Sequence, residues 1–125
     1  MIQSRPRYLN LLKIHLPITA IVSILHRVSG ILLFCFIPLT LWVIQYSVYS
    51  EANFQNIQQS LHTPFGSILL TLFLLLLMQH FFAGIRFLLM DLDWGMERNL
   101  SRKTAGLSLL LSIISTLVIL LGVYL

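Results

Sequence analysis

Three side chains able to bind an anion or a carbonyl oxygen lie near the start of a long apolar stretch: Ser23, His26 and Arg27. A guanidinium inside a bilayer is costly, so an arginine at this place suggests a function. Ser23 and Arg27 are four residues apart and therefore share one face of a helix. Together they can bind a carbonyl oxygen or an anion. The alternative is that Arg27 only extends to the lipid headgroups.

A lone histidine, His80, lies in the middle of the second apolar stretch, about 15 Å from its charged end if the segment is helical. Gly84 follows one turn later on the same face. A glycine beside a histidine lets a flat macrocycle lie against the backbone, so the pair suggests haem ligation. The alternative is a histidine that hydrogen-bonds a neighbouring helix, with Gly84 allowing close packing. No Cys-x-x-Cys-His segment occurs, so such a haem would be non-covalent.

The depths of the two histidines argue against their ligating one haem together. The first span is predicted to begin near residue 22, which places His26 within a turn or so of the membrane surface. His80 is expected to lie much deeper. Because axial ligands of one iron lie opposite each other at one depth, we expect the second axial histidine to come from another chain. His26 is then better placed to contact a haem propionate.

The elements that hold these residues are predicted to be three transmembrane helices in one domain that covers residues 1–125. Of these residues, 58% are hydrophobic and only 10% are charged, which is too little charge for a soluble domain. About 20 apolar residues cross a bilayer. Three stretches are long enough: about 22–49, 65–90 and 104–124. Pro38 lies inside the first and should kink it. The fold class is therefore all-α and membrane-embedded.

Lysine and arginine are distributed unevenly between the segments that join these spans. The N-terminal lead-in and the second polar loop, 91–103, are basic, whereas the first polar loop, 50–64, has no Lys or Arg. The positive-inside rule therefore predicts a cytoplasmic N-terminus and a periplasmic C-terminus. The same rule explains the net charge of +4 without a nucleic-acid partner. The single cysteine, Cys35, cannot form an internal disulfide or a thiolate metal cluster.

Two segments carry a resemblance to a known family. Residues 17–30, PITAIVSILHRVSG, resemble the signature of the cytochrome b membrane-anchor subunit of succinate dehydrogenase. Residues 80–86, HFFAGIR, followed by Asp91, resemble the His-x-x-x-Gly-x-Arg motif on the second helix of that family. The number of spans, their orientation and the chain length agree along nearly the whole chain. Some relatives carry a second histidine where this chain has Phe87.

The resemblance implies that Ser23 and Arg27 line a ubiquinone site, with Asp91 close to it. It implies that His80 is an axial ligand of the iron of haem b, that a second membrane-anchor subunit supplies the other ligand, and that His26 and Arg27 lie near the propionates. The chain would not be an enzyme by itself. Succinate chemistry would belong to the flavoprotein and iron–sulfur subunits, docked at the cytoplasmic face. The chain would help pass electrons from succinate to ubiquinone in the bacterial inner membrane, rather than the mitochondrial one.

Three other functions stay open on the residues alone. The chain could anchor a related fumarate reductase, since the sequence does not set the direction of electron flow. It could be a non-redox three-helix scaffold, which gives no reason for a histidine at mid-depth. It could be a transporter subunit that uses His80 for protons, although such a pathway needs more polar lining than this chain has. A visible haem spectrum would distinguish a haem-binding redox anchor from the scaffold and from the transporter subunit.

Overall fold

The computed structural model describes residues 16–125, which form four helices. These are α1 (Ile18–Tyr49), α2 (Glu51–Leu61), α3 (Pro64–Asp91) and α4 (Arg98–Tyr124). By length and composition α1, α3 and α4 can each cross a membrane. The predicted all-α class with three spans is therefore confirmed, and each helix is somewhat longer than its predicted span. The direction in which the spans cross stays a prediction. Pro38 lies inside α1, which continues through it as one helix.

The prediction of a polar loop at 50–64 is wrong, because most of this segment forms the 11-residue helix α2. Ser50 caps this helix: its hydroxyl accepts the N–H of Asn53 at 3.2 Å. Glu51 places a negative charge in the first turn, where it interacts favourably with the helix dipole. The apolar side chains follow the spacing of an amphipathic helix: Phe54, Ile57 and Leu61. A serine cap followed by this spacing was the feature of the sequence from which α2 could have been predicted.

The corner between α2 and α3 requires a glycine. The Thr63 hydroxyl accepts the N–H of Gly66 at 3.1 Å, and Pro64 occupies the first turn, where its missing N–H costs nothing. A Cβ atom on Gly66 would collide with the carbonyl oxygen of Ser60. The end of α2 is therefore held against the start of α3.

The connection between α3 and α4 is shorter than the predicted loop 91–103, because α4 already begins at Arg98. The chain reverses through a turn in which the N–H of Trp94 donates to the Leu89 carbonyl at 3.0 Å. Gly95 has a φ of 82°, which glycine adopts without steric cost. The basic residues expected in a loop instead occupy the first turns of a helix: Arg98, Arg102 and Lys103.

The bundle places α3 between α1 and α4, and it buries small and polar side chains rather than large apolar ones. Val22, Ala83 and Ala105 form its apolar centre. Most leucine, isoleucine and phenylalanine side chains are exposed and face lipid or other chains. The buried polar residues of the described part are Ser29, Gln79, Arg86, Ser108, Ser112 and Thr116. This pattern is typical of membrane helices, which associate through small residues and hydrogen bonds.

Gln79 and Ser112 connect α3 to α4 near the middle of the two helices. The Ser112 hydroxyl lies 3.2 Å from the side-chain oxygen of Gln79 and 2.7 Å from the Ser108 carbonyl, and it shares its one proton between these two acceptors. The side-chain nitrogen of Gln79 is buried and has no hydrogen-bond partner among residues 16–125. The sequence reasoning did not single out this glutamine, although it directly precedes His80.

Candidate functional site

His26 and His80 lie in direct contact between α1 and α3. Their rings are nearly parallel, at 8°, and their centroids are 4.3 Å apart. The prediction that the two histidines lie at different depths is therefore wrong. Its error was to begin the span near residue 22, whereas α1 begins at Ile18, about 12 Å along the helix axis before His26. The relative depth of α1 and α3 depends on how they pack, which hydropathy alone does not give.

Each histidine lies against a glycine of the opposite helix. Both helices carry the spacing His-x-x-x-Gly, and they run antiparallel. A Cβ atom on Gly30 would lie 3.0 Å from Cε1 of His80, and one on Gly84 would lie 3.4 Å from Nε2 of His26. The space beside Gly84 is thus used by the neighbouring histidine, as the close-packing alternative supposed. The two glycines let the rings meet at the helix crossing.

Hydrogen bonds fix which nitrogen of His80 is free. Its Nδ1 lies 3.2 Å from the carbonyl oxygen of His26 and 3.3 Å from the hydroxyl of Ser29. A carbonyl only accepts, so Nδ1 carries the proton and donates it, which leaves the Nε2 lone pair available. Ser29 is buried and donates to the same carbonyl at 2.9 Å. Ser29, to which the sequence reasoning assigned no role, therefore helps to orient His80.

An open cavity of about 590 Å³ borders the two histidines. It is lined by His26, Arg27, Gly30, Ile31, Phe34 and His80. The structure thus brings three of the predicted site residues together: both histidines and Arg27, whose side chain is exposed. Ser23 is half-buried one turn away and does not line this cavity. Asp91 is exposed at the end of α3 and does not line it either.

The donor set at this cavity fits a haem iron bound through one histidine. An imidazole that donates its Nδ1–H to a backbone carbonyl is the usual arrangement of a metal-ligating histidine, because the hydrogen bond fixes the tautomer and the ring orientation. His26 stacks on His80, so the two rings would not hold one iron between them in this arrangement. Residues 16–125 contain no group of three side chains able to hold a bare metal ion.

The side chain of Arg86, near the end of α3, lies against α4 and makes its hydrogen bonds there rather than with Asp91. Its side chain is only 6% exposed. Nε donates to the Thr104 hydroxyl at 3.2 Å, and Nη2 donates to the hydroxyl of Ser101 at 2.8 Å and to its carbonyl at 3.2 Å. The guanidinium also lies 5.2 Å from the ring centre of Phe87. Arg86 therefore connects α3 to the first turns of α4, on the side away from His26.

Comparison with known proteins identifies the family. Residues 1–119 match the sequence profile of the succinate dehydrogenase/fumarate reductase transmembrane subunit. The chain belongs to this family. The succinate dehydrogenase cytochrome b556 subunit of Coxiella burnetii is 38% identical over 91 residues, which cover 72% of this chain and 73% of the relative. That of Paracoccus denitrificans is 31% identical over 102 residues, covering 82% of this chain and 78% of the relative.

Family membership confirms the resemblance read from residues 17–30 and 80–86. The chain is a transmembrane subunit of a succinate dehydrogenase or fumarate reductase, and so part of a complex with other subunits. Three helices able to span a bilayer and relatives in bacteria agree with a bacterial membrane protein. The scaffold and transporter alternatives are set aside by this family assignment.

Proposed function

We propose that this chain is the cytochrome b anchor of a succinate dehydrogenase, and that it helps to deliver electrons from succinate to ubiquinone. The observation that carries the proposal is His80, whose Nδ1 is held by a backbone carbonyl and whose Nε2 is left free beside an open cavity that also contains Arg27. Both curated relatives are named as succinate dehydrogenase subunits, which favours succinate oxidation over fumarate reduction as the direction.

In this proposal His80 would hold haem b through its iron, together with a second membrane-anchor subunit. The cavity is open to one side, so another chain can complete it. A haem bound here would supply a one-electron carrier within the membrane. His80 would hold it through Nε2, and Ser29 and the His26 carbonyl orient the imidazole. Arg27, with its exposed positive charge, and His26 are the groups available to the propionates.

Ubiquinone binds, in this proposal, near the inner end of α1, where Ser23 and Arg27 lie one turn apart on one face. Ser23 donates a hydrogen bond to a quinone carbonyl. Arg27 stabilises the negative charge that develops on that oxygen during reduction, as a preorganised cation does at an oxyanion. Asp91 lies at the same end of the bundle, at the last residue of α3, and is the acidic group proposed near the quinone.

The electrons come from subunits outside this chain. In this proposal a flavoprotein and an iron–sulfur subunit dock at the cytoplasmic face of the bacterial inner membrane. At this face the first residues of α1, the last residues of α3 and the first residues of α4 lie together. Exposed basic residues Arg98, Arg102 and Lys103 lie at this end. The charge distribution supports this orientation, because basic segments stay on the cytoplasmic side.

Haem ligation is tested by replacing His80 with alanine in the intact membrane complex. His80→Ala should lose or strongly change the reduced-minus-oxidised haem b bands, because the iron loses a ligand. The matched control is His62→Ala, which removes an exposed histidine at the opposite end of the bundle. An unchanged haem spectrum in His80→Ala, at normal abundance of the complex, would remove His80 as a ligand.

Quinone activation is tested by Arg27→Leu and Ser23→Ala, with Arg102→Leu and Ser47→Ala as controls for lost charge and lost hydroxyl. Succinate oxidation is measured once with a soluble artificial acceptor and once with ubiquinone. Each site variant should spare the first activity. Arg27→Leu should slow the second by about 10²-fold, the low end for an oxyanion donor because this side chain is exposed. Parent rates with ubiquinone in both site variants would place the quinone elsewhere.

A further inference from the structure

Arg86 is a buried cation whose charge is not neutralised within residues 16–125. Within the described part of the chain its hydrogen bonds go to neutral groups of α4, from Ser101 and Thr104, and its Nη1 amino group makes none. A guanidinium carries five N–H donors, so part of its capacity is unused. A buried charge is stable only when it is paired and fully hydrogen-bonded. The arrangement therefore favours an anion at Nη1.

A cavity of about 250 Å³ lies beside Arg86, between α3 and α4. Toward the inner end of the bundle its wall contains Arg86, Trp94 and Thr104. Toward the middle of the bundle the wall is apolar: Phe82, Leu107 and Leu111. Arg86 lies about 8 Å along the axis from the end of α3, a depth suited to lipid headgroups. A cavity that is cationic at the surface and apolar toward the membrane interior fits an anionic amphiphile.

The charges around this cavity support the same occupant. Lys103 is exposed and does not itself line the cavity, but it lies three residues after Leu100 and four before Leu107, which do, so it is at the edge of that face of α4. The nearby carboxylates are exposed and line no part of the cavity: Asp91, Asp93 and Glu97. Basic pockets between helices on the cytoplasmic side are known to bind anionic lipid headgroups.

We propose that this cavity is a binding site for an anionic phospholipid. The phosphate contacts Nη1 of Arg86 and the ammonium group of Lys103, and the start of one acyl chain lies along Leu107 and Leu111, with the rest in the bilayer. This site is separate from the histidine pair, because Arg86 faces α4 whereas His80 faces α1. A neutral quinone matches the apolar wall but leaves the buried charge unpaired, so an anionic lipid is favoured.

The test uses the intact complex, extracted in detergent and stripped of loosely bound lipid. Phosphatidylglycerol and phosphatidylcholine are titrated separately, and binding is followed by thermal stability and by native mass spectrometry. Phosphatidylglycerol should bind in preference. Arg86→Gln should weaken its binding by about tenfold, the worth of one charge-assisted contact. Arg102→Gln, which removes an equal but exposed charge, should leave it unchanged.

A second variant tests the site without removing the charge, in case the complex with Arg86→Gln does not assemble. Leu107→Trp fills the apolar part of the cavity at a half-exposed position and keeps the charge, and it should weaken phosphatidylglycerol binding similarly. Equal effects of Arg86→Gln and Arg102→Gln would overturn the proposal in favour of general surface attraction. Displacement of the lipid by millimolar inorganic phosphate would show a free-anion site instead. Displacement by ubiquinone would show a quinone site. No preference between the two lipids would also refute it.

Discussion

Gly30→Ala tests the packing of the histidine pair most directly. The added methyl carbon would lie 3.0 Å from Cε1 and 3.4 Å from Nδ1 of His80, so the ring must shift by a few tenths of an ångström. The ring has little freedom, because it stacks on His26 and bonds to its carbonyl. Overpacking of this kind costs about 1–3 kcal/mol. Alanine returns up to about 1 kcal/mol of helix propensity, which leaves a net loss of about 1 kcal/mol.

The assay is thermal unfolding of the detergent-extracted complex, compared with two control variants. Gly122→Ala adds a methyl group that meets nothing within 4 Å, and Gly106→Ala makes only an ordinary contact, 3.7 Å from Ile18. Both should match or slightly exceed the parent in stability. Gly30→Ala should unfold at a lower temperature and also shift the haem bands. If Gly30→Ala is as stable as Gly122→Ala, the imidazole of His80 is not held against α1.

Three further predictions concern the rest of the bundle. Ser112→Ala should lower the free energy of unfolding by about 0.6 kcal/mol, the average for a hydrogen bond between membrane helices, because it removes the hydroxyl that the side-chain oxygen of Gln79 contacts; thermal unfolding measures this, and an unchanged midpoint would contradict it. Gly66→Ala should cost about 1–3 kcal/mol in the same assay, since its methyl group meets the backbone carbonyl of Ser60, which cannot move as a side chain can. A reporter fused after Leu125 should be periplasmic and one inserted in the turn 92–97 cytoplasmic; the reverse would invert the proposed topology.

The sequence was enough to predict the three spans and to single out candidate site residues within them. Long apolar runs identify membrane helices with little ambiguity, and a histidine or arginine inside them stands out by its cost. Arg27 and His80 were found in this way. Helix α2 was missed because it is short and largely polar, so its few large apolar residues are a weak signal beside their polar neighbours. Its serine cap was the better indication.

The contact between His26 and His80 could not be predicted from hydropathy, because it depends on how far α1 extends beyond the apolar run and how it crosses α3. The role of Arg86 was hidden for a similar reason. Its partners lie in residues that were assigned to a loop, and only the early start of α4 brings Ser101 and Thr104 to it. Gln79 was overlooked because one uncharged amide barely changes the hydropathy of a leucine-rich segment.

The buried serines and threonine of α4 set a rule for engineering this protein. Ser108, Ser112 and Thr116 recur every four residues along the face against α3, and their hydroxyls donate to carbonyls within α4. Each is small, so the two helix axes can lie close together. In a water-soluble protein, filling internal space with larger apolar side chains is one route to a more stable variant. Here the same substitutions would wedge the helices apart, and attempts at stabilisation should leave this stripe unchanged and alter the lipid-facing side instead.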